Sequence, residues 1–117
     1  MSLLNALKNR FDTTEDTTAN IPPSDIYAIL KNERRRRIID YLADTDGDES
    51  SASDIADHLA TMGDERKTAY VSVSQQHLSR MEKSGLIEYN ERSKEIRVRE
   101  ELAVVAEVHQ VVEEKLD

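Results

Sequence analysis

The chain has no cysteine, so disulfides, thiolate zinc sites and cysteine nucleophiles are excluded. No uninterrupted apolar run exceeds a few residues, far short of the roughly 20 that a bilayer-spanning helix needs. The first residues lack the apolar stretch of a secretory signal. These absences lead us to expect a soluble, cytoplasmic chain with no membrane partner. Aromatic residues make up only 4% of the sequence, which leaves packing to Leu, Ile and Val. No paired carboxylates, nucleophile with its base, phosphate-binding glycine loop or metal-ligand cluster stands out. The expectation is a binding protein rather than an enzyme, with no cofactor and no metal.

What is present is one domain's length, 117 residues, with a formal net charge of −8. The charge is uneven. Residues 1–63 carry 12 acidic and 7 basic side chains, residues 64–99 carry 6 and 8, and residues 100–117 carry 6 and 1. The middle segment is thus the one basic stretch between two acidic ones. Local charge, not the total, decides what a surface attracts within a Debye length.

Residues 12–20 are polar and aperiodic and read as a linker. Ahead of them, Leu3, Leu4, Leu7 and Phe11 recur at helical spacing, as in a docking arm, a membrane-surface helix or a frayed end. Residues 1–21 are therefore expected to form a flexible N-terminal arm. The folded part starts at Pro22-Pro23-Ser24, with Ser24 as N-cap and Asp25 meeting the helix dipole. A second helix starts near Glu33 and turns Ile38, Ile39, Tyr41 and Leu42 inward. Asp44 to Ser50 is an acidic, turn-rich run. It lacks the twelve-residue register and closing Glu of a calcium loop, and reads as a solvated loop. Ser51 to Asp54 forms a capping box for a third helix with Ile55, Ala56, Leu59 and Met62 on its buried side. Gly63 suits the end of that helix, and Asp64 is placed to cap the next. A fourth helix runs to Lys83, with the alternating Val71-Ser72-Val73-Ser74 a possible interruption near its start. After Gly85 the period becomes two-fold, giving strands at 86–89 and 95–99 joined by a loop at 90–94. Residues 100–117 return to a helix.

The expected class is mainly α with a small β-hairpin. The order of a third helix, a fourth helix and a hairpin is that of a winged helix-turn-helix, here with an additional C-terminal helix. Residues 22–99 would be the winged domain and 100–117 the terminal helix. Ser74-Gln75-Gln76-His77-Leu78-Ser79-Arg80-Met81-Glu82-Lys83-Ser84-Gly85-Leu86-Ile87 resembles the end of a recognition helix and the start of the wing in ArsR-like winged-helix regulators. Residues 33–42 resemble the second helix of that group and residues 53–59 its third. Over residues 24–99 the likeness is nearest to the small acidic winged-helix proteins of haloarchaea. The resemblance implies a sequence-specific, DNA-binding transcription regulator. The spacing between Ile55 and His77 is longer than in a compact helix-turn-helix, so either the recognition helix is extended at its start or the turn is enlarged. The cysteines of the metal-sensing members are missing, and Glu107 with His109 only faintly echoes the carboxylate and histidines that others carry on the last helix.

On the fourth helix, Val71, Ser74, Leu78 and Met81 should face the core, with His77 packed beside them. The opposite side carries Ser72, Gln75, Gln76, Ser79, Arg80 and Lys83. Gln pairs bidentately with adenine, Arg and Lys reach guanine or phosphate, and Ser is adaptable. In the wing, Arg92, Lys94, Arg97 and Arg99 are candidates for phosphates or a minor groove, the alternative being pairing with Glu88, Glu91 and Glu95. Arg34 to Arg37 face all sides of a helix. Glu33 with Arg37 and Arg36 with Asp40 have ion-pair spacing, which gives that run a structural role from which one or two members could still reach phosphate.

The last helix carries two apolar stripes, Leu102, Val105, Val112 and Leu116 in one, Val104, Val108 and Val111 in the other. They fit burial on two sides, and the resemblance implies a homodimer built by the terminal helices. Leu102, Val105, Val108, His109, Val112 and Leu116 are the candidate interface, the alternative being an intramolecular lid. Two such copies would present recognition helices to half-sites about one turn apart. The acid excess points to a salty working solvent, where repulsion from DNA is screened. The competing reading is a winged-helix protein–protein interaction or assembly module that does not bind DNA.

Overall fold

The computed structural model describes residues 21–45 and 47–116. Residues 1–20 of the expected N-terminal arm, Asp46 and the side chain of Leu116 lie outside the described residues. Ile21, the last residue of that arm, packs against the core.

The first helix, α1 (Pro23–Leu30), starts on a proline at its first position, whose fixed φ suits a helix start. Pro22 occupies the cap without a side-chain hydrogen bond, so Ser24 lies inside the helix and is not the N-cap expected above. Helix α2 (Glu33–Asp44) is capped by Asn32, whose side chain accepts from Arg35 N–H at 3.1 Å. Its buried residues Arg35, Ile38, Ile39 and Leu42 recur at helical spacing.

The acidic run after α2 is more than a loop. Glu49–Ser51 forms β1, which pairs antiparallel with β3. Ser51 then caps α3 (Ala52–Thr61) through Asp54 N–H, as its spacing predicts. Gly63, at φ 106°, closes α3 in the left-handed conformation that a side chain resists. Glu65, not Asp64, caps the next helix by accepting from the N–H groups of Lys67 and Thr68.

The long fourth helix is three segments in one path: α4 (Arg66–Ser72), a π-helical turn (Val73–His77) and α5 (Leu78–Lys83). In the π-turn, Leu78 N–H reaches Val73 C=O, five residues back. One extra residue turns the preceding segment by about 100°. The buried series accordingly runs Ala69, Val73, Leu78 and Met81, and Val71 is exposed. That corrects the placement of Val71 on the core face, which assumed an uninterrupted period. The alternating stretch marks where the period changes, and the helix is extended at its start.

Gly85, at φ 82°, ends α5 and leads into β2 (Ile87–Asn90) and β3 (Glu95–Val98). The sheet therefore has three strands, in the order β1-β3-β2, all antiparallel. Ile87, Tyr89 and Ile96 face inward. Helix α6 (Glu100–Leu116) packs on α2. The protein is thus mainly helical with a small three-stranded antiparallel sheet. No helix of the described residues is long and apolar enough to cross a membrane.

Leu102, Val105 and Val108 lie in the same cluster as Ile38, Ile39 and Leu86, with Val112 packed against it, and His109 is buried too. This corrects their assignment to a dimer interface. They close the core of their own chain, because the three helices before the hairpin leave α2 open on the side that α6 covers. The lid alternative describes that face.

Candidate nucleic-acid interface

The outer face of the helix 66–83 is polar. Gln75, Gln76, Arg80 and Lys83 are exposed, and Ser72 and Ser79 are half-buried. Among the described residues neither Arg80 nor Lys83 is in an ion pair. The two glutamines lie in the π-turn itself. The opposite face is anchored by Val73, Leu78 and Met81, each fully buried, so the polar side chains project from a rigid support.

Two polar contacts hold the π-turn from behind. Tyr89 of β2 donates its hydroxyl to Ser74 C=O at 3.0 Å, and Ser74 Oγ donates to Tyr70 C=O at 2.8 Å. On the other side, the Arg35 guanidinium meets His77 at 3.3 Å from Nη1 to Nδ1. Arg35 also donates to Ile29 C=O at 3.0 Å and Ala28 C=O at 2.9 Å, tying α1, α2 and the π-turn together. A guanidinium can only donate, so Nδ1 is the unprotonated acceptor and the ring proton sits on Nε2. Burial, with the charges of Arg35 and Arg34 behind it, holds the His77 pKa down at about 4. His77 is the packed histidine that its place beside the apolar face predicts.

The arginine run divides by environment. Arg35 is buried, and Arg36 donates to Leu30 C=O at 2.7 Å rather than to Asp40. Arg37 makes the expected pair with Glu33, at 2.9 Å. Arg34 and Arg37 converge on Asp64, at 3.2 and 3.6 Å. Both line an open groove with Ser72 and Gln76. The amides of the long helix therefore have two half-exposed guanidinium groups from α2 as neighbours. Sequence spacing could not show this, because 42 residues separate Arg34 from Gln76.

The hairpin is different. Arg97 faces Glu49 on one neighbouring strand and Glu88 on the other, and its guanidinium lies 3.4 Å from Glu49. Glu82, Glu91 and Glu95 line the same hollow. Arg99 pairs with Glu88 at 3.7 Å and Glu101 at 3.5 Å. Of the two readings of Arg97 and Arg99, pairing with carboxylates describes the strand: Glu88 pairs with Arg99 as the alternative expected, and β1, a strand unseen in the sequence, adds Glu49 beside Arg97. The hollow around Arg97 and the groove around Gln76 share no lining residue. Arg92 and Lys94, in the hairpin turn, are in no ion pair among the described residues. Lys94 sits at φ 64°, with Asn90 Oδ1 accepting from Arg92 and Ser93 N–H to fix the turn.

A family model described as a domain of unknown function (DUF7344) matches residues 27–97. That span runs from α1 to β3 and contains the groove, the π-turn and the hairpin. No curated protein and no solved structure matches the chain.

Proposed function

The chain belongs to the DUF7344 family of domains of unknown function, and from its own surface we propose that it is a winged-helix, DNA-binding transcription regulator. In this reading α2, β1, α3, the helix 66–83, β2 and β3 are the helix-strand-helix-helix-strand-strand order of a winged helix, and α6 is an added helix. The likeness of residues 74–87 to ArsR-like recognition helices supports the same assignment.

The observation that carries the proposal is the exposed face of Gln75, Gln76, Arg80 and Lys83 on a helix whose other side is locked into the core. Gln76, with Gln75 beside it, reads base edges in the major groove, and Arg80 and Lys83 reach guanine or phosphate. Arg34 and Arg37 contact the phosphate backbone beside Ser72 and Gln76, exchanging Asp64 for a phosphate. Arg92 and Lys94 at the hairpin tip are the wing's contribution. Arg97 and Arg99, held by carboxylates, are not part of it. A second copy would have to join through the outer face of α6 or elsewhere, since its inner face is in use. Such a regulator works on the chromosome, in the cytoplasm.

The test is selection of bound sequences from a random DNA pool at molar potassium chloride with the full-length chain. Enrichment of a shared sequence is expected. One specific observation favours the second reading, an interaction module: five carboxylates, from the sheet, the hairpin turn and α5, line the hollow that holds Arg97 and repel phosphate. A pool that enriches nothing, at low salt as well as high, would favour that module and overturn the DNA proposal.

A further inference from the structure

Away from the polar helix face, Asp40 of α2 meets His109 and Glu113 of α6. His109 Nε2 lies 3.4 Å from Asp40 Oδ2 and 3.5 Å from Glu113 Oε1. One ligand atom from each residue lies within 4.8 Å of the other two. We propose that these three side chains bind a divalent transition-metal ion of the zinc class, with the fourth coordination position open to solvent. The proposal stands apart from DNA binding and departs from the expectation of no metal.

The distances carry the argument. A histidinium hydrogen-bonded to a carboxylate sits at about 2.7–2.9 Å. Both contacts here are longer. Zinc at about 2.0–2.1 Å from nitrogen and oxygen ligands sets a tetrahedral ligand–ligand edge of about 3.3–3.4 Å. Two edges of the cluster nearly have that length.

Burial and charge agree. The His109 ring is 4% exposed, fixed between two packed helices, with Nε2 directed at the two carboxylates. Asp40 and Glu113 are largely exposed, so an ion has a path in and a solvent ligand has room. Coordinated through two carboxylate oxygens and an imidazole nitrogen, a divalent cation would have its charge balanced by the ligand set. A mixed nitrogen–oxygen set suits zinc, cobalt or nickel, whereas magnesium and calcium prefer oxygen alone. His109 and Glu113 stand four apart on one face of α6, and Asp40 comes from α2, so the ion would staple the last helix to the domain.

The experiment uses the tag-free, full-length chain after removal of metal with a chelator. Cobalt(II) is titrated while the visible absorption of four-coordinate cobalt is followed, and zinc is then added as competitor. We expect a single equivalent per chain, displaced by zinc. Asp40→Asn and Glu113→Gln should each weaken binding by about tenfold or more. Both positions are exposed, so the metal-free variants should melt with the wild type. Zinc should raise the melting temperature of the wild type, and at the same concentration raise that of Glu113→Gln by less. A wild-type chain without a cobalt spectrum, or equal affinity in Glu113→Gln, overturns the site and leaves a histidine paired to two carboxylates.

Discussion

Arg35 and His77 meet side chain to side chain in the interior, guanidinium Nη1 to imidazole Nδ1 at 3.3 Å, across 42 residues of sequence. Arg35 is 5% exposed and His77 2%. The cation supplies donors to two carbonyls of α1 and to the ring, so its burial is compensated. The contact fixes the angle at which the π-turn, and with it Gln75 and Gln76, leaves the domain.

This contact makes stability depend on pH. The folded-state pKa of His77 is held at about 4, below the ordinary 6.5, so the unfolded chain takes up the proton first. Stability is full above pH 6.5 and falls as the pH drops toward 4. From pH 7 to pH 5 the loss from this group should be about 2 kcal/mol. Urea unfolding at both pH values measures it, and His77→Gln should remove that part of the slope. An unchanged slope in the variant would assign the pH dependence elsewhere.

Gln76→Ala should relax base preference. The cost is roughly 1–3 kcal/mol on the selected sequence and close to nothing on random DNA. Competition binding with both DNAs decides it, and equal losses would show that Gln76 reads no base.

Arg34→Ala and Arg37→Ala should each weaken binding to all sequences alike and lower the salt slope by about one unit. Arg97→Ala should leave the slope where it is, since that cation already faces Glu49 and Glu88. Affinities measured over a series of chloride concentrations separate the two groups. A flattened slope for Arg97→Ala would restore the strand as a phosphate contact.

Tyr89→Phe removes the hydroxyl that holds Ser74 C=O. The expected cost is about 1 kcal/mol in chemical unfolding, with a larger proportional effect on DNA selectivity than on random binding. Wild-type selectivity in this variant would mean that the π-turn needs no tether from the sheet.

With a net charge of −8 and a sheet face lined by carboxylates, the melting temperature should rise with potassium chloride as repulsion is screened. Equal stability in dilute buffer and molar salt would refute this.

Much of this architecture could be read from residue order. The α2 start, the Ser51 cap, the glycine after α3, the hairpin and the last helix all follow local rules, because caps, glycines and period changes act over four or five residues. The exposed face of Gln75, Gln76, Arg80 and Lys83 was legible for the same reason. What was not legible depends on partners far along the chain. Strand β1 is three residues, two of them serine, and gains its form only from β3. The burial of Arg35 hangs on carbonyls of α1 and on His77, partners that the ion-pair spacing of the arginine run does not reveal. The inward face of α6 is as apolar as an interface would be, and only the position of α2 shows which surface it covers. The π-turn left one trace, the alternation at 71–74, because a single added residue alters the phase of a helix without altering its composition.

That added residue works as a gear. Without the wide turn, the same residues wound as one ordinary helix would rotate Arg66 to Ser72 by about 100° relative to Leu78 to Lys83. Val71 would swing inward and Ala69 out, and Arg66 would lose its reach to Asp57 on the preceding helix. A chain one residue shorter at this point would need no wide turn, and an ordinary helix would hold the two ends of the rod in the phase they have now.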